Sequence, residues 1–315
     1  MPNRTTVIVV NWNGRKHLQE CYDALLAQTI KDFSIIVVDN GSTDDSVAYT
    51  KHHLPQANVI ELRENTGFAK ANNIGIQKAL ENSLCDYIVL LNNDTAIEPN
   101  WMNSLIMTAD QHPEYSSIAC LMVYYNDPQC VDSAGHHLLP TGRVTNWGAG
   151  MDRKDFSIPG IVFGACAGAG LYRRSFFEQI GFFDESLFAY YEDVDLNWRA
   201  VLQGLKCYYQ PQAVVRHKGA GTSQRNRRFQ ILSFRNRLIV NTKNLPTDFI
   251  FAHFFRWLGF ESYMIGILLI NGKIAALLAW LKQFPLRRRE RRTNMKRRTI
   301  TLPELLSYEA VQPKT

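Results

Sequence analysis

Carboxylates placed just after apolar runs are the first feature of this sequence that could do chemistry. Asp39 closes the run 34–38, and Asp94 follows the run 87–91 as the last residue of Asn92-Asn93-Asp94. Asp39 could accept a hydrogen bond from a base N–H or a ribose hydroxyl, while the hard oxygens of Asp94 suit Mg²⁺ or Mn²⁺. A lone Asp in such a place is more often a turn residue or helix cap, so the weight lies on the two occurring together. Tyr190-Tyr191-Glu192-Asp193-Val194-Asp195 then puts three carboxylates into four residues at a helix start. One or two would satisfy the helix dipole. A carboxylate of this cluster could act as a general base, and Asp195 could serve mainly to cap the helix and face its dipole. His217 ends an apolar run ahead of Gly219-Ala220-Gly221, and a position near Asp94 would make it a metal ligand.

These residues need a scaffold. The run 7–10 is β-branched and bounded by polar residues, as in a buried parallel strand, and is too short for the apolar core of a secretory leader. Leu18, Tyr22, Leu25 and Leu26 recur at helical spacing, then strands at 34–38, 58–62 and 87–91 alternate with helices at 46–53 and 69–80. This alternation predicts an α/β fold, a mostly parallel sheet covered on both faces. Ligands in such folds bind beyond the carboxyl ends of the strands, where Asp39 and Asp94 stand. Asn11-Trp12-Asn13-Gly14 carries one glycine and no dinucleotide fingerprint, and no Walker A sequence is present. A divalent cation is then the simplest way to handle phosphate. Further on, the glycine-rich run 164–170 precedes a helix expected from Arg174, another helix carries Val194, Trp198, Val201, Leu202 and Leu205, and 214–217 reads as a short last strand.

The chain has 315 residues, 46% hydrophobic and 20% charged, which excludes wholesale disorder. Its six cysteines form no CxxC pair, arguing against a disulfide scaffold or zinc ribbon and fitting a reducing compartment. Eight basic residues and Glu290 between Arg287 and Arg298 give a local charge of +7 against a total of +6. The body is therefore near neutral, which speaks against nucleic acid as a partner and places one basic segment beside something anionic. Residues 247–284 are dense in Phe, Trp, Leu and Ile, yet the longest uncharged run, 262–272, is too short to span a bilayer. Two helices in a membrane interface fit this composition, as does a helical hairpin packed on the rest of the chain.

Six segments, in order, resemble an inverting family 2 glycosyltransferase of the GT-A fold, nearest to the rhamnosyltransferase-like group of bacterial surface polysaccharide synthesis. They are VIVVNWNG, QTIKDFSIIVVDNGSTDDS, ENTGFAKANNIG, DYIVLLNNDT, IGFFDESLFAYYEDVDLNWRAVLQG, and VVRHKGAG followed by FRNRLIVNTKNLP, spanning about residues 5 to 246. The resemblance implies a GT-A-type catalytic domain over 1–225, its nucleotide-sugar half about 1–110 and its acceptor half about 111–225. A helical, membrane-interfacial segment at 226–285 and a flexible basic tail at 286–315 would follow. Asn11 and Asp39 would line the nucleotide pocket, and Asn65, Gly67 and Lys70 would border the base and diphosphate. Asn92-Asn93-Asp94 matches the family's DxD-type motif with Asn92 at its first acidic position, so Asp94 alone supplies a metal carboxylate. His217 would join the Mg²⁺ or Mn²⁺ shell, and Glu192-Asp193 matches the motif whose Asp is the catalytic base. The implied donor is a nucleotide-diphospho-sugar, dTDP-rhamnose first and a UDP-sugar second. The implied acceptor is a lipid-linked saccharide, met from the cytoplasm at the anionic inner face of the cell membrane. The rival readings are a two-carboxylate glycoside hydrolase and a non-catalytic membrane scaffold that binds nucleotide sugars.

Overall fold

The computed structural model describes residues 4–219, 227–270 and 272–309. The boundary expected between 225 and 226, Ala220 and Gly221 of the turn after His217, and residues 310–315 of the expected tail lie outside them. Strands β1 (Thr5–Asn11), β2 (Ser34–Asp39), β3 (Asn58–Glu61) and β4 (Tyr87–Asn92) form a parallel block in the order β3-β2-β1-β4. Along β1, Val7 and Val9 enter one hydrophobic layer and Ile8 the opposite one, because an uninterrupted β-branched run feeds both faces of a sheet. Helices α1 (Arg15–Leu26), α2 (Ser46–His53) and α3 (Phe68–Leu80) connect these strands, with Leu18, Cys21, Tyr22 and Leu25 of α1 turned inward at helical spacing. Register sets Asn11 beside Asp39 and Val10 beside Asn92, so the polar strand ends emerge on one edge.

The sheet continues through β5 (Thr95–Ile97), β6 (Ser117–Tyr124), β7 (Asp127–Ser133), β10 (Gly160–Val162), β11 (Ala169–Arg173) and β12 (Cys207–His217), while β8 (His136–Leu138) and β9 (Val144–Asn146) form a separate pair. The order β10-β12-β6-β11-β4-β1-β2-β3 inserts antiparallel β11 between β4 and β6, and β6 pairs β12 in parallel. The strand expected at 214–217 is the last part of the longer β12, whose register shifts between Gln210 and Val214, around Pro211. A proline there removes a ladder donor and hides the strand's continuity from pattern reading. Helices α4 (Trp101–Gln111), α5 (Arg174–Ile180) and α6 (Glu192–Leu202) complete the layers on this half.

Beyond the sheet, α7 (Arg227–Asn244), α8 (Thr247–Ala252), α9 (Phe254–Ile270), α10 (Ile274–Lys296) and α11 (Leu302–Ser307) follow. A third core joins Trp198 and Val201 of α6 to Ile239 and Val240 of α7, Phe249 of α8 and Leu305 of α11. Over residues 286–309 the chain is not the flexible basic tail expected from the sequence. The first part of that stretch is the second half of α10, which runs through Pro285, and Arg287 is only 2% exposed. Arg287 Nη1 meets Asp184 at 2.9 Å and Glu290 at 2.8 Å, while Arg298 pairs with Asp248 at 2.8 Å. Fixed partners on the folded body turn part of the basic run inward. Arg288, Arg289, Arg292, Lys296 and Arg297 remain exposed. Among the described residues no helix is long and apolar enough to cross a membrane.

Candidate active site

At the edge of the parallel block the expected pocket residues are joined by hydrogen bonds. Asn11 Nδ2 donates to Asp39 Oδ2 at 3.0 Å, Asn93 Nδ2 donates to Asn11 Oδ1 at 2.7 Å, and Asp39 Oδ1 accepts the Ser42 N–H at 2.8 Å. Gly14 allows this closure, since a Cβ there would lie 2.1 Å from Asn93 Nδ2. Asn65 Oδ1 accepts from Asn40 Nδ2 at 3.1 Å and from Gly67 N–H at 2.9 Å, one strand further out. Gly67 abuts Phe188 rather than an open pocket: a Cβ would stand 2.6 Å from its ring and its carbonyl oxygen. Lys70 is exposed in the first turn of α3, outside this network.

Asp94 and His217, far apart in sequence, meet because β12 pairs antiparallel with β5, which follows Asp94 directly. His217 Nε2 stands 3.2 Å from Asp94 Oδ1, and its Nδ1 stands 2.7 Å from Asp132 Oδ2. Burial alone would lower the His217 imidazole, but hydrogen bonds to Asp132 and Asp94 raise it to about 10. Burial would likewise raise the Asp94 carboxyl, yet His217 holds it below the ordinary carboxylate range. Mg²⁺ or Mn²⁺ bound here would have to displace the Nε2 proton, after which Asp94 Oδ1 and His217 Nε2 make a carboxylate–imidazole donor pair that fits such an ion. Asp132 would stand behind it, orienting the histidine ring as carboxylates do in metal sites. Asp132 was not foreseen from the sequence; an acidic residue in a short irregular strand carries no periodic signal.

Asp193 lies across the turn 166–168 from this pair. The Gly168 carbonyl accepts the Asn92 N–H at 2.8 Å, and Ala167 N–H donates to Asp193 Oδ2 at 3.2 Å. Asp193 Oδ1 accepts Val194 N–H at 2.8 Å, and the side chain stays partly exposed. Its neighbour Glu192 is buried, and its Oε2 has no hydrogen-bond partner among the described residues. Burial and the adjacent Asp193 charge push the Glu192 carboxyl well up. Of the two, Asp193 is therefore the more exposed carboxylate. Asp195 stands in the first turn of α6, where the sequence suggested a dipole partner, but its contacts go well beyond that role. It is fully buried, bound by Arg199 at 2.9 Å, Lys243 at 3.0 Å and Asn244 at 2.8 Å. Lys243 and Asn244 arrive from α7, an element whose docking no local pattern announced.

The approach to α6 is strained. Phe188, Tyr190 and Tyr191 have φ of 64°, 69° and 68°, a region that costs non-glycine residues about 1–3 kcal/mol each. Asn236 of α7 holds this turn: its Nδ2 donates to the carbonyls of Leu187, Ala189 and Tyr190 at 2.8, 2.9 and 2.7 Å. One further cluster adjoins Asp193. Among the described residues, single donor atoms of His136, Cys166 and Asp193 lie within 4.8 Å of one another, a geometry that could hold an ion.

Comparison with known proteins bears on the family and the fold. The profile described as "Glycosyl transferase family 2" matches residues 6–181. The chain is 27% identical over 241 residues to an N-acetylglucosaminyl-diphospho-decaprenol L-rhamnosyltransferase of Mycobacterium tuberculosis, covering 70% of this chain and 78% of the relative. It is 24% identical over 247 residues to the low-salt glycan biosynthesis hexosyltransferase Agl10 of Haloferax volcanii, covering 75% of each. Its fold is similar to that of a mannosyltransferase from Pyrobaculum calidifontis solved with GDP-Man and Mn²⁺, at a TM-score of 0.55 and 17% identity over 98% of this chain and 81% of that one. It is also similar to GalNAc-T7 solved with UDP, GalNAc and Mn²⁺, at 0.60 and 16%, where it covers 76% of this chain and spans about half, 47%, of that longer one. With the matched segment running over more than half of its length, the chain belongs to glycosyl transferase family 2 and is a glycosyltransferase.

Proposed function

We propose that the protein transfers a hexosyl group, rhamnose in the first instance, from a nucleotide-diphospho-sugar to a hydroxyl of a lipid-linked saccharide, with inversion at the anomeric carbon. The observation that carries this reading is the meeting of Asp94 with His217 at 3.2 Å, with Asp193 across the turn 166–168. Asn11, Asp39, Asn65 and Asn93 border the nucleotide. Asp94 and His217 would hold Mg²⁺ or Mn²⁺, which when bound neutralises charge on a departing diphosphate. Asp193 takes the proton from the acceptor hydroxyl as its oxygen attacks the anomeric carbon. The bond to the diphosphate breaks on the opposite face, hence inversion. Holding both substrates at one sheet edge supplies the orientation part of the acceleration.

The acceptor reading is supported by the outer helices. Phe251, Phe255, Tyr263 and Ile270 are 65–86% exposed on α8 and α9, and the exposed Arg288, Arg289 and Arg292 lie on α10. Such a pairing of apolar and basic side chains suits the anionic cytoplasmic face of a membrane. A thermal-shift screen of dTDP, UDP and GDP and their sugars with Mn²⁺, followed by transfer to a polyprenyl-diphosphate-linked N-acetylglucosamine, tests the whole. Stabilisation by dTDP-rhamnose with Mn²⁺ and product of inverted configuration are expected. Stabilisation by UDP-sugars alone would replace rhamnose, and release of free sugar without transfer would overturn the reading.

A further inference from the structure

We propose that His136 is a positioning residue for Asp193, held as one tautomer by Asn197; this rests on the reading of Asp193 as the general base. Asn197 Nδ2 stands 2.9 Å from the oxygen of Ala165, which can only accept, so the Asn197 side chain must present its NH₂ group there. The same NH₂ group lies 2.9 Å from His136 Nδ1. A donor facing Nδ1 makes that nitrogen the acceptor and leaves the ring proton on Nε2. Nε2 faces Asp193 Oδ2 at 3.6 Å, beside the Ala167 N–H that already donates to that oxygen.

The glycine-rich run 164–170, which the nucleotide reading left without a role, is the mould for this arrangement. A Cβ at Gly164 would fall 2.1 Å from the Asn197 amide carbon, so only glycine admits the side chain. The His136 N–H donates to the Gly164 carbonyl at 2.7 Å, fixing the ring's backbone to the same turn. Three successive functions then come from one short segment: space from Gly164, an acceptor from Ala165 and a donor from Ala167.

A neutral imidazole suits the task. Burial lowers the His136 basicity more than the Asp193 charge raises it, so the ring stays uncharged. An N–H from a neutral ring orients a carboxylate without the full charge of an imidazolium, which would oppose the proton transfer the carboxylate must perform. The 3.6 Å separation is longer than a hydrogen bond, and such contacts commonly tighten when substrate arrives. Cys166 completes a possible ion-binding triangle, but Asn197 engages Nδ1, and burial pushes the Cys166 thiol well above its ordinary value, which disfavours the thiolate an ion would need.

Imidazole nitrogen spectra of the ¹⁵N-labelled full chain, with His136 assigned by its loss in His136→Phe, should show the Nε2–H tautomer at pH 7. Asn197→Leu should let the second tautomer appear. An Nδ1–H tautomer, an imidazolium, or coordination of His136 on adding Zn²⁺ would overturn the proposal. In transfer from dTDP-rhamnose or UDP-N-acetylglucosamine, whichever is turned over, His136→Phe should lower kcat by on the order of 10²-fold with donor KM unchanged. His136→Gln, which keeps an N–H donor, should recover most of it. In an Asp193→Asn background His136→Phe should add no further loss. Equal losses in both backgrounds would end the proposal for His136, whereas normal transfer by Asp193→Asn alone would end the reading of the base. If His136→Phe does not fold, the Gln variant and the Asn197→Leu spectra decide. If neither donor is turned over, the parent reading fails and the spectra alone decide the tautomer.

Discussion

Arg287→Ala should destabilise the protein by about 3 kcal/mol. Arg287 is 2% exposed and Asp184 15% exposed, so solvent screens their pair little. Its guanidinium also meets Ser186 Oγ at 2.6 Å, Gln283 Oε1 at 2.7 Å and Glu290 at 2.8 Å. Removing one member of a buried pair costs about 3–5 kcal/mol, because the other charge stays buried. Asp184 keeps Lys243 at 2.9 Å, which places the loss at the lower end of that range. At roughly 2–4 °C per kcal/mol, the melting temperature should fall by about 6–12 °C. The pH dependence gives a second check. Burial would raise the Asp184 carboxyl, but Lys243, the Ser186 hydroxyl and Arg287 outweigh it and hold it well below the ordinary range. A carboxyl depressed in the folded state contributes stability that is present above its unfolded pKa, about 3.9, and lost as pH falls through the folded value. The gap between wild type and Arg287→Ala, read by thermal melts from pH 7 downward, should therefore be full at pH 7 and narrow below about pH 4. A variant melting within 2 °C of wild type at pH 7, or a gap unchanged into acid, would refute the reasoning.

Other outcomes follow from the same contacts. Asp193→Asn should keep nucleotide affinity and lower transfer by about 10²–10⁴-fold, whereas Asp195→Asn, which leaves Lys243 and Arg199 short of a partner charge, should show first as a lower melting temperature. Isothermal titration and transfer rates on both variants separate the two roles; a dead but fully stable Asp195→Asn would reverse them. Asp132→Asn should weaken Mn²⁺-dependent binding of a nucleoside diphosphate by about 10–100-fold while leaving nucleoside binding intact; unchanged Mn²⁺ dependence would remove Asp132 from the site. Replacing Arg288, Arg289 and Arg292 together by Gln should lower binding to anionic vesicles by about 3 kcal/mol, on the order of 10²-fold, at about 1 kcal/mol each. Full retention on vesicles in flotation assays would show that these arginines do not anchor the protein.

The parts of the fold that were legible are those where one residue's neighbours in sequence are also its partners in space. The β-branched runs of β1, β2 and β4 and the spacing of Leu18, Tyr22 and Leu25 carry their own period, and the strand ends then fix the place of Asp39 and Asp94. His217 could be read only conditionally, because its worth depends on the distance to Asp94 that β5 and β12 set. His136 and Asn197 left no trace, being single polar residues 61 positions apart whose meaning comes from a turn between them. Asp195 misled for a related reason. An acidic residue in a first helical turn looks like a dipole partner until α7 brings Lys243 against it. Pro285 and the charges after it disguised α10, since a proline inside a helix and a row of arginines are both ordinary marks of a chain leaving the fold.

The hold of Asn236 on the left-handed turn before Asp193 has a bearing on how the protein comes into being. Chains are made from the amino end, so Asp39, Asp94 and Asp193 all exist before residue 236 is synthesised. Until α7 docks, the carbonyls of residues 187, 189 and 190 lack the amide that gathers them, and Phe188, Tyr190 and Tyr191 are drawn toward ordinary backbone angles. The turn that sets Asp193 at the head of α6 is thus completed only once α7 has been made. The placement of Asp193 therefore waits on α7, an element made after every strand of the sheet.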